Sequence, residues 1–202
     1  MKKWQRESLG RHDYQVLNLD HPDFVNSVIE EIEQGEVGVY YDTRWKVCAT
    51  FTRWLDDHAD RFEGKRVLVL GCGVGTESLV VARYAAQTWC NDWSPVACHW
   101  CEEQMRANDL KATFLPGSFA EIELPAVDWI IGSFLVYNPS TARTLADILQ
   151  RQRAHTILAN EPMPDWARFR KELTDYEVVE HDEHGMIVGE FSPVDGNGVS
   201  AP

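Results

Sequence analysis

The chain has 202 residues, 44% hydrophobic and 25% charged, which is enough for one well-buried core and makes a single domain the default. A formal net charge of −13 opposes a nucleic-acid partner, because phosphate neutralisation needs clustered Lys and Arg, and no such cluster occurs. No stretch reaches the ~20 apolar residues of a membrane span, and five scattered cysteines, an odd number, read as reduced cytoplasmic thiols and not as a disulfide framework.

In chain order, MKKWQRESLG has basic residues but no apolar run behind them, so it does not read as a signal peptide. Residues 1–36 are expected to form a helical preamble, with Phe24, Val25, Val28, Ile29 and Ile32 at helical spacing between acidic residues. His12 and His21 fit surface or capping roles. Residues 37–62 combine an aromatic-rich entry with a helix presenting Trp45, Val47, Cys48, Phe51, Trp54 and Leu55, most of them core.

Residues 66–83, RVLVLGCGVGTESLVVAR, carry the main signal. Arg66 to Leu70 is a short β-branched apolar run suited to an interior parallel strand. Gly71, Cys72, Gly73, Val74 and Gly75 follow at once, and glycines at alternate positions permit positive φ and let a ligand touch main chain. Thr76 then opens a helix, with Glu77 suited to its dipole, continuing through Leu79, Val80, Ala82 and Ala86. A dinucleotide fingerprint needs a glycine at position 76, where Thr76 stands, which lowers the nicotinamide reading. Gln87 to Asn91 is a second strand ending at Asp92, 21 positions beyond Gly71, where a carboxylate can accept both ribose hydroxyls. Read without its neighbours, Asp92 fits a surface turn equally well. Ser94 and Pro95 start the next helix.

The loop LGCGVG followed by NDWSPVA resembles the glycine loop and the "acid, any residue, Ser-Pro" signature of class I S-adenosylmethionine-dependent methyltransferases. The resemblance spans about residues 37–191. It implies that Gly71, Cys72, Gly73 and Gly75 lie beneath the ribose and methionine parts of the cofactor. Asp92 then holds the ribose and Trp93 lies along the adenine. Within class I the nearest group is the lysine-methyltransferase-like one (methyltransferase family 16), whose G-x-x-x-W motif places a tryptophan near the cofactor. Gly38 and Trp45 match it with longer spacing.

A helix to about Asn108 and a strand, Ala112 to Leu115, lead to Pro116, Gly117, Ser118 and Phe119. Where the family usually has an acid for the adenine amino group this chain has Ser118, a weaker acceptor, with Phe119 placed to stack on the ring. An ordinary polar turn before a core aromatic is the alternative. Val127 to Leu135 is the longest apolar run, expected as a central strand, ending near Tyr137, Asn138 and Pro139. The lysine-methylating group carries D-x-x-Y here. This chain keeps Tyr137 and has Phe134 at the acid's place, where only cation–π attraction is available to an ammonium. Tyr137 either lines the methyl-transfer site or anchors the strand end.

A helix over 140–152, a strand over 155–159, a helix over 164–173 and two strands over 176–180 and 186–191 complete the pattern. Cys98 and Cys101 have no second half-site to complete a four-ligand set, and His181 and His184 with Asp182 and Glu183 read as a polar turn between strands, so no metal is expected. Residues 192–202 are expected to be a disordered tail. The expectation is an α/β domain with a seven-stranded, mostly parallel, doubly wound Rossmann-like sheet and an antiparallel closing strand. It binds S-adenosylmethionine and methylates a lysine-like amine on a protein. A small-molecule acceptor, or a non-catalytic binding protein that retains the fold, are the alternatives.

Overall fold

Arg66–Leu70 forms the strand on which the rest is laid. The computed structural model describes residues 1–35 and 39–194, so Gly38 lies outside the described residues. The chain begins with β1 (Trp4–Leu9), β2 (His12–Leu17), α1 (Pro22–Glu33), α2 (Lys46–Asp57) and a 3-10 turn at Ala59–Phe62. It continues with β3 (Arg66–Leu70), α3 (Thr76–Tyr84), β4 (Gln87–Asp92), α4 (Pro95–Ala107), β5 (Thr113–Pro116) and β6 (Trp129–Ser133). Then follow α5 (Pro139–Gln152), β7 (His155–Asn160), α6 (Pro164–Glu172), β8 (Tyr176–Glu183) and β9 (Met186–Pro193).

Seven strands form one sheet in the order β5-β4-β3-β6-β7-β9-β8. The strands β5 to β7 along that order run parallel, and β9 is antiparallel to both its neighbours. This is the expected doubly wound sheet, with β6 in its middle. Alternation along β3 explains why it is apolar throughout. Val67 and Val69 join Phe51, Leu55, Val80 and Met105 on one face, while Leu68 and Leu70 join Leu145, Leu149 and Phe169 on the other. Each such buried side chain stabilises the fold by roughly 1.5–3 kcal/mol. Among the described residues, no helix is long and apolar enough to cross a membrane.

Helix starts follow the sequence signals. Ser94 Oγ accepts from the Ala97 N–H at 3.0 Å, with Pro95 at the first helical position of α4. Asn138 Oδ1 accepts from the Ser140 and Thr141 N–H groups at 2.9 Å ahead of Pro139 and α5. His21 caps α1 through Nδ1.

Several boundaries differ from expectation, each for a physical reason. The preamble is not only helical: residues 4–17 form a hairpin turning at Gly10, with Leu9, Tyr14, Val16 and Leu17 inward. Its free edge is satisfied by side chains instead of a strand. Leu17 N–H donates to Gln104 Oε1 at 2.7 Å, and Asn108 exchanges two bonds with the Gln15 main chain. Such pairing leaves no period in the sequence. On α1 only Phe24 and Val28 of the apolar set are buried, and Val25, Ile29 and Ile32 face outward. Helix α3 ends at Tyr84, before Ala86, whose N–H bonds the Lys65 carbonyl at 2.9 Å on entering β4. Strand β6 stops at Ser133 because Phe134 adopts φ +53° and sends its N–H to the Ala159 carbonyl at 2.8 Å. The closing strands are longer than expected, leaving His184 and Gly185, both at positive φ, as the turn. Ser192, Pro193 and Val194 are ordered, with the Val194 N–H on the Asp175 carbonyl at 3.0 Å. The rest of the expected tail, 195–202, lies outside the described residues.

Candidate functional site

The parallel registers set Leu70 beside Asn91 and Gly132, and Asp92 beside Pro116, so β3, β4, β5 and β6 end together at one sheet edge. A crevice at the carboxyl ends of parallel strands is where open α/β sheets bind ligands. A cavity of about 620 Å³ opens there, within the size range of small-molecule sites.

Its floor is the turn from β3 to α3. Gly71, Gly73 and Gly75 have φ of +58°, +51° and +94°, the left-handed region that side chains resist. Cβ atoms at Gly71 and Gly75 would also collide with Leu135 and with the Cys101 sulfur. The loop therefore offers bare main chain to the cavity, with Cys72 beside it.

Asp92 ends β4 and is 6% exposed. Its Oδ2 accepts from the Gly73 N–H at 2.9 Å and its Oδ1 from the Ser94 N–H at 3.0 Å. A carboxylate has about four acceptor sites, so each oxygen keeps capacity for one more donor. Burial pushes its pKa up to about 6, and nearby Glu31 adds to the rise, against the main-chain N–H groups of Ser94, Gly73 and Trp93, which favour the charge. Trp93, Ser118 and Phe119 line the wall next to Asp92. The turn holding the last two is fixed by Asn91, whose Nδ2 donates to the Leu115 and Gly117 carbonyls at 2.6 and 2.9 Å. Ser118 Oγ meanwhile accepts from the Ala120 N–H at 3.3 Å.

The opposite wall is aromatic. Trp45 stacks on Phe134 with ring centroids 5.2 Å apart and planes 14° from parallel. Phe134 stacks on Tyr137 at 6.4 Å, and Tyr137 meets Tyr40 at 5.8 Å. Tyr137 and Tyr40 are 38% and 51% exposed, so the ladder runs out to the surface. Burial raises the Tyr137 pKa, so its phenol stays protonated at neutral pH. The left-handed Phe134 that carries the ladder is held by Asn160, which bonds both the N–H and the carbonyl of Val136.

The cavity thus gathers every residue singled out in the sequence, Trp45, Gly71, Cys72, Gly73, Gly75, Asp92, Trp93, Ser118, Phe119, Phe134 and Tyr137. Others were not foreseen. Glu31 on α1 is buried, accepting from Ser94 Oγ at 2.5 Å and from the Tyr41 hydroxyl, which ties α1 to the Asp92 turn. Arg44 pairs with Glu7 of the hairpin and donates to the Leu17 carbonyl at 2.5 Å, roofing the cavity. Glu77, read as a helix-dipole residue, is buried and lines the floor, with Ser133 Oγ donating to it at 2.7 Å. Asn160 ends β7, and its place at a strand end is the one sequence signal that marks it.

Comparison with known proteins agrees with this geometry. Residues 67–157 match a family described as "Methyltransferase domain", and no curated protein matches the chain. Among solved structures, the chain is similar to the tRNA (uracil-54, C5)-methyltransferase of Pyrococcus abyssi in complex with S-adenosyl-L-homocysteine. That likeness has a TM-score of 0.63 and 19% identity over 94% of this chain, and the chain spans 44% of the length of that enzyme. The ribosomal protein L11 methylase of Lactobacillus delbrueckii subsp. bulgaricus gives a TM-score of 0.65 at 13% identity, over 93% of this chain and 98% of that one. The magnesium protoporphyrin IX methyltransferase of Synechocystis with bound SAM gives 0.55 at 15% identity, over 84% and 93%. At these identities the neighbours establish the fold. The family match covers residues 67–157, less than half of the chain. The cavity suits S-adenosylmethionine, the cofactor that the resemblance of its glycine loop implies: bare main chain in the glycine turn, and an acid with acceptor capacity to spare.

Proposed function

We propose that the protein methylates an amine on a protein, with a lysine side chain as the first candidate. The observation that carries this reading is the aromatic ladder from Trp45 through Phe134 and Tyr137 to Tyr40, which leads from the cavity to the surface. Ring faces attract alkylammonium groups by roughly 0.5–2 kcal/mol, and a slender side chain can enter along them while its protein stays outside. A net charge of −13 favours a basic partner and opposes a nucleic acid. Among the described residues the arginine on the cavity wall, Arg44, is already engaged by Glu7. Five free cysteines suit a cytoplasmic site of action.

In this reading Gly71, Cys72, Gly73 and Gly75 underlie the ribose and methionine parts of the cofactor, and Asp92 accepts the ribose hydroxyls. Trp93, Ser118 and Phe119 enclose the adenine, while Trp45 and Phe134 close the site near the reacting end. The bound cofactor supplies a methyl group already activated by its sulfonium. The chain's task is to align the acceptor and exclude water. The amine has to arrive deprotonated, and the Tyr137 phenol, protonated at neutral pH, orients it as a hydrogen-bonding group.

A small-molecule amine is the second reading, favoured by the roof that Glu7, Leu9 and Arg44 place over the cavity. Methyl-labelled cofactor incubated with the enzyme and either a protein extract or a deproteinised metabolite extract separates the two. Label in protein, released as methyl-lysine on hydrolysis, supports the first; label confined to the metabolite extract overturns it.

A further inference from the structure

Among the described residues four carboxylates are buried around the core and the cavity: Glu31, Asp56, Glu77 and Asp92. Three of them are accounted for. Asp56 receives the Arg11 guanidinium and main chain and the Tyr84 hydroxyl. Both oxygens of Asp92 are held by main-chain N–H groups. Glu31 accepts two hydroxyls and does not line the cavity. Glu77, like Asp92, is 6% exposed and forms part of the cavity wall, but the main-chain bond it receives is from its own N–H. Its side-chain partners are the Ser133 hydroxyl at 2.7 Å and the Cys48 thiol, which lies 3.3 Å from that hydroxyl. Among the described residues no Lys, Arg or His forms an ion pair with it.

A carboxylate taken out of water without a cation is costly, and the usual outcomes are neutralisation or a charged ligand. Ser133 donates to Glu77, the arrangement suited to an ionised acceptor. Among the described residues the remaining charges on the cavity wall are Asp92 and the Glu7–Arg44 pair, so these side chains carry a negative excess. We propose that Glu77 is a receptor for a primary ammonium group in the floor of the cavity. That group is supplied by the methionine part of the cofactor or by the acceptor amine. The assignment rests on the cofactor reading above and adds a residue to it.

The test is a set of calorimetric titrations on the full chain and on Glu77→Gln, which keeps the shape and the Ser133 bond while removing the charge. The ligands are S-adenosylhomocysteine, 5′-methylthioadenosine, which has the nucleoside and thioether but no amino acid, and n-butylamine added to the S-adenosylhomocysteine complex. If the cofactor supplies the ammonium, Glu77→Gln weakens S-adenosylhomocysteine tenfold or more and leaves methylthioadenosine within twofold. If the acceptor supplies it, both nucleosides bind the variant normally and butylamine binds only the wild type. Equal binding of all three ligands by both proteins overturns the proposal and leaves Glu77 a neutral structural acid. Failure of the wild type to bind either nucleoside removes the cofactor reading, and this inference with it, so the two failures are distinguishable.

Should the variant not fold, wild-type titrations in two buffers of different ionisation enthalpy decide the matter. Burial holds the Glu77 pKa above its ordinary value and an arriving ammonium lowers it, so proton release is followed over a pH series that spans the titration of the free group. Asp92 meets the same nucleoside in both ligands, and burial keeps the Cys48 thiol protonated. Extra proton release with S-adenosylhomocysteine over methylthioadenosine, or on adding butylamine, supports the proposal. No extra release in either case overturns it.

Discussion

The two walls of the cavity are built on different principles. The wall formed by the glycine turn and Asp92 is main chain held by main chain: left-handed glycines, a carboxylate pinned by two N–H groups, and strand ends in fixed register. The facing wall is made of side chains from separate segments, with Tyr40 and Trp45 before α2 and Phe134 and Tyr137 after β6, meeting through ring contacts, and Trp45 Nε1 donates to the Tyr40 carbonyl at 2.8 Å. In the proposed reading the first wall takes the nucleoside part of the cofactor, and the second, built of exchangeable side chains, sets the acceptor.

That contrast fails if changes in the first wall spare nucleoside binding, or if changes in the second destroy it. The largest effect is expected from Asp92→Ala, which removes two hydrogen bonds to a charged acceptor worth roughly 1.5–3 kcal/mol each. S-adenosylhomocysteine should bind about 100-fold more weakly or worse in calorimetry, with the fold intact by circular dichroism. Gly75→Ala acts next, through stability. At φ +94° and against Cys101, the added methyl should cost roughly 2–3 kcal/mol. The melting temperature should then fall by about 5–10 °C.

A pH series sharpens the role of Asp92. Its pKa is raised from an ordinary 3.8 to about 6. Between those values the free folded protein holds a proton that the unfolded chain has released, so the stability contributed by this group falls as pH rises through the window. Ligand binding should run the opposite way, because the ionised carboxylate is the better acceptor. At pH 5 about a tenth of Asp92 is ionised, and S-adenosylhomocysteine should bind about tenfold more weakly than at pH 7.5. The smallest effect belongs to the second wall: Tyr137→Leu should slow methyl transfer about fivefold, the scale of one ring contact to a cation, while nucleoside affinity stays within twofold.

The same division explains what could be read in the sequence. The sheet, its helices and the Asp92 wall were legible because they rest on local patterns: a β-branched run, alternate glycines, an acid at the next strand end, and Ser-Pro or Asn-Pro helix starts. The hairpin was not, since its edge is completed by Gln104 and Asn108 from about ninety residues away. Glu31 looked like one more acid on a solvated face, and only the fold brings it to Ser94 and Tyr41. Glu77 fitted a helix-dipole role so well that nothing local hinted at its burial. The early end of β6 depends on the left-handed Phe134, a conformation its residue type disfavours and the Asn160 bonds impose.

The central claim, that this cavity is the S-adenosylmethionine site, is tested most directly by thermal shift of the wild type and Asp92→Ala with S-adenosylhomocysteine and with NAD. At 100 times its Kd the first ligand should add about 2.7 kcal/mol, or about 5–10 °C, to the wild type. NAD should add nothing, and the folded variant should not respond. A folded wild type that ignores S-adenosylhomocysteine, or that is stabilised by NAD in its place, would contradict the account.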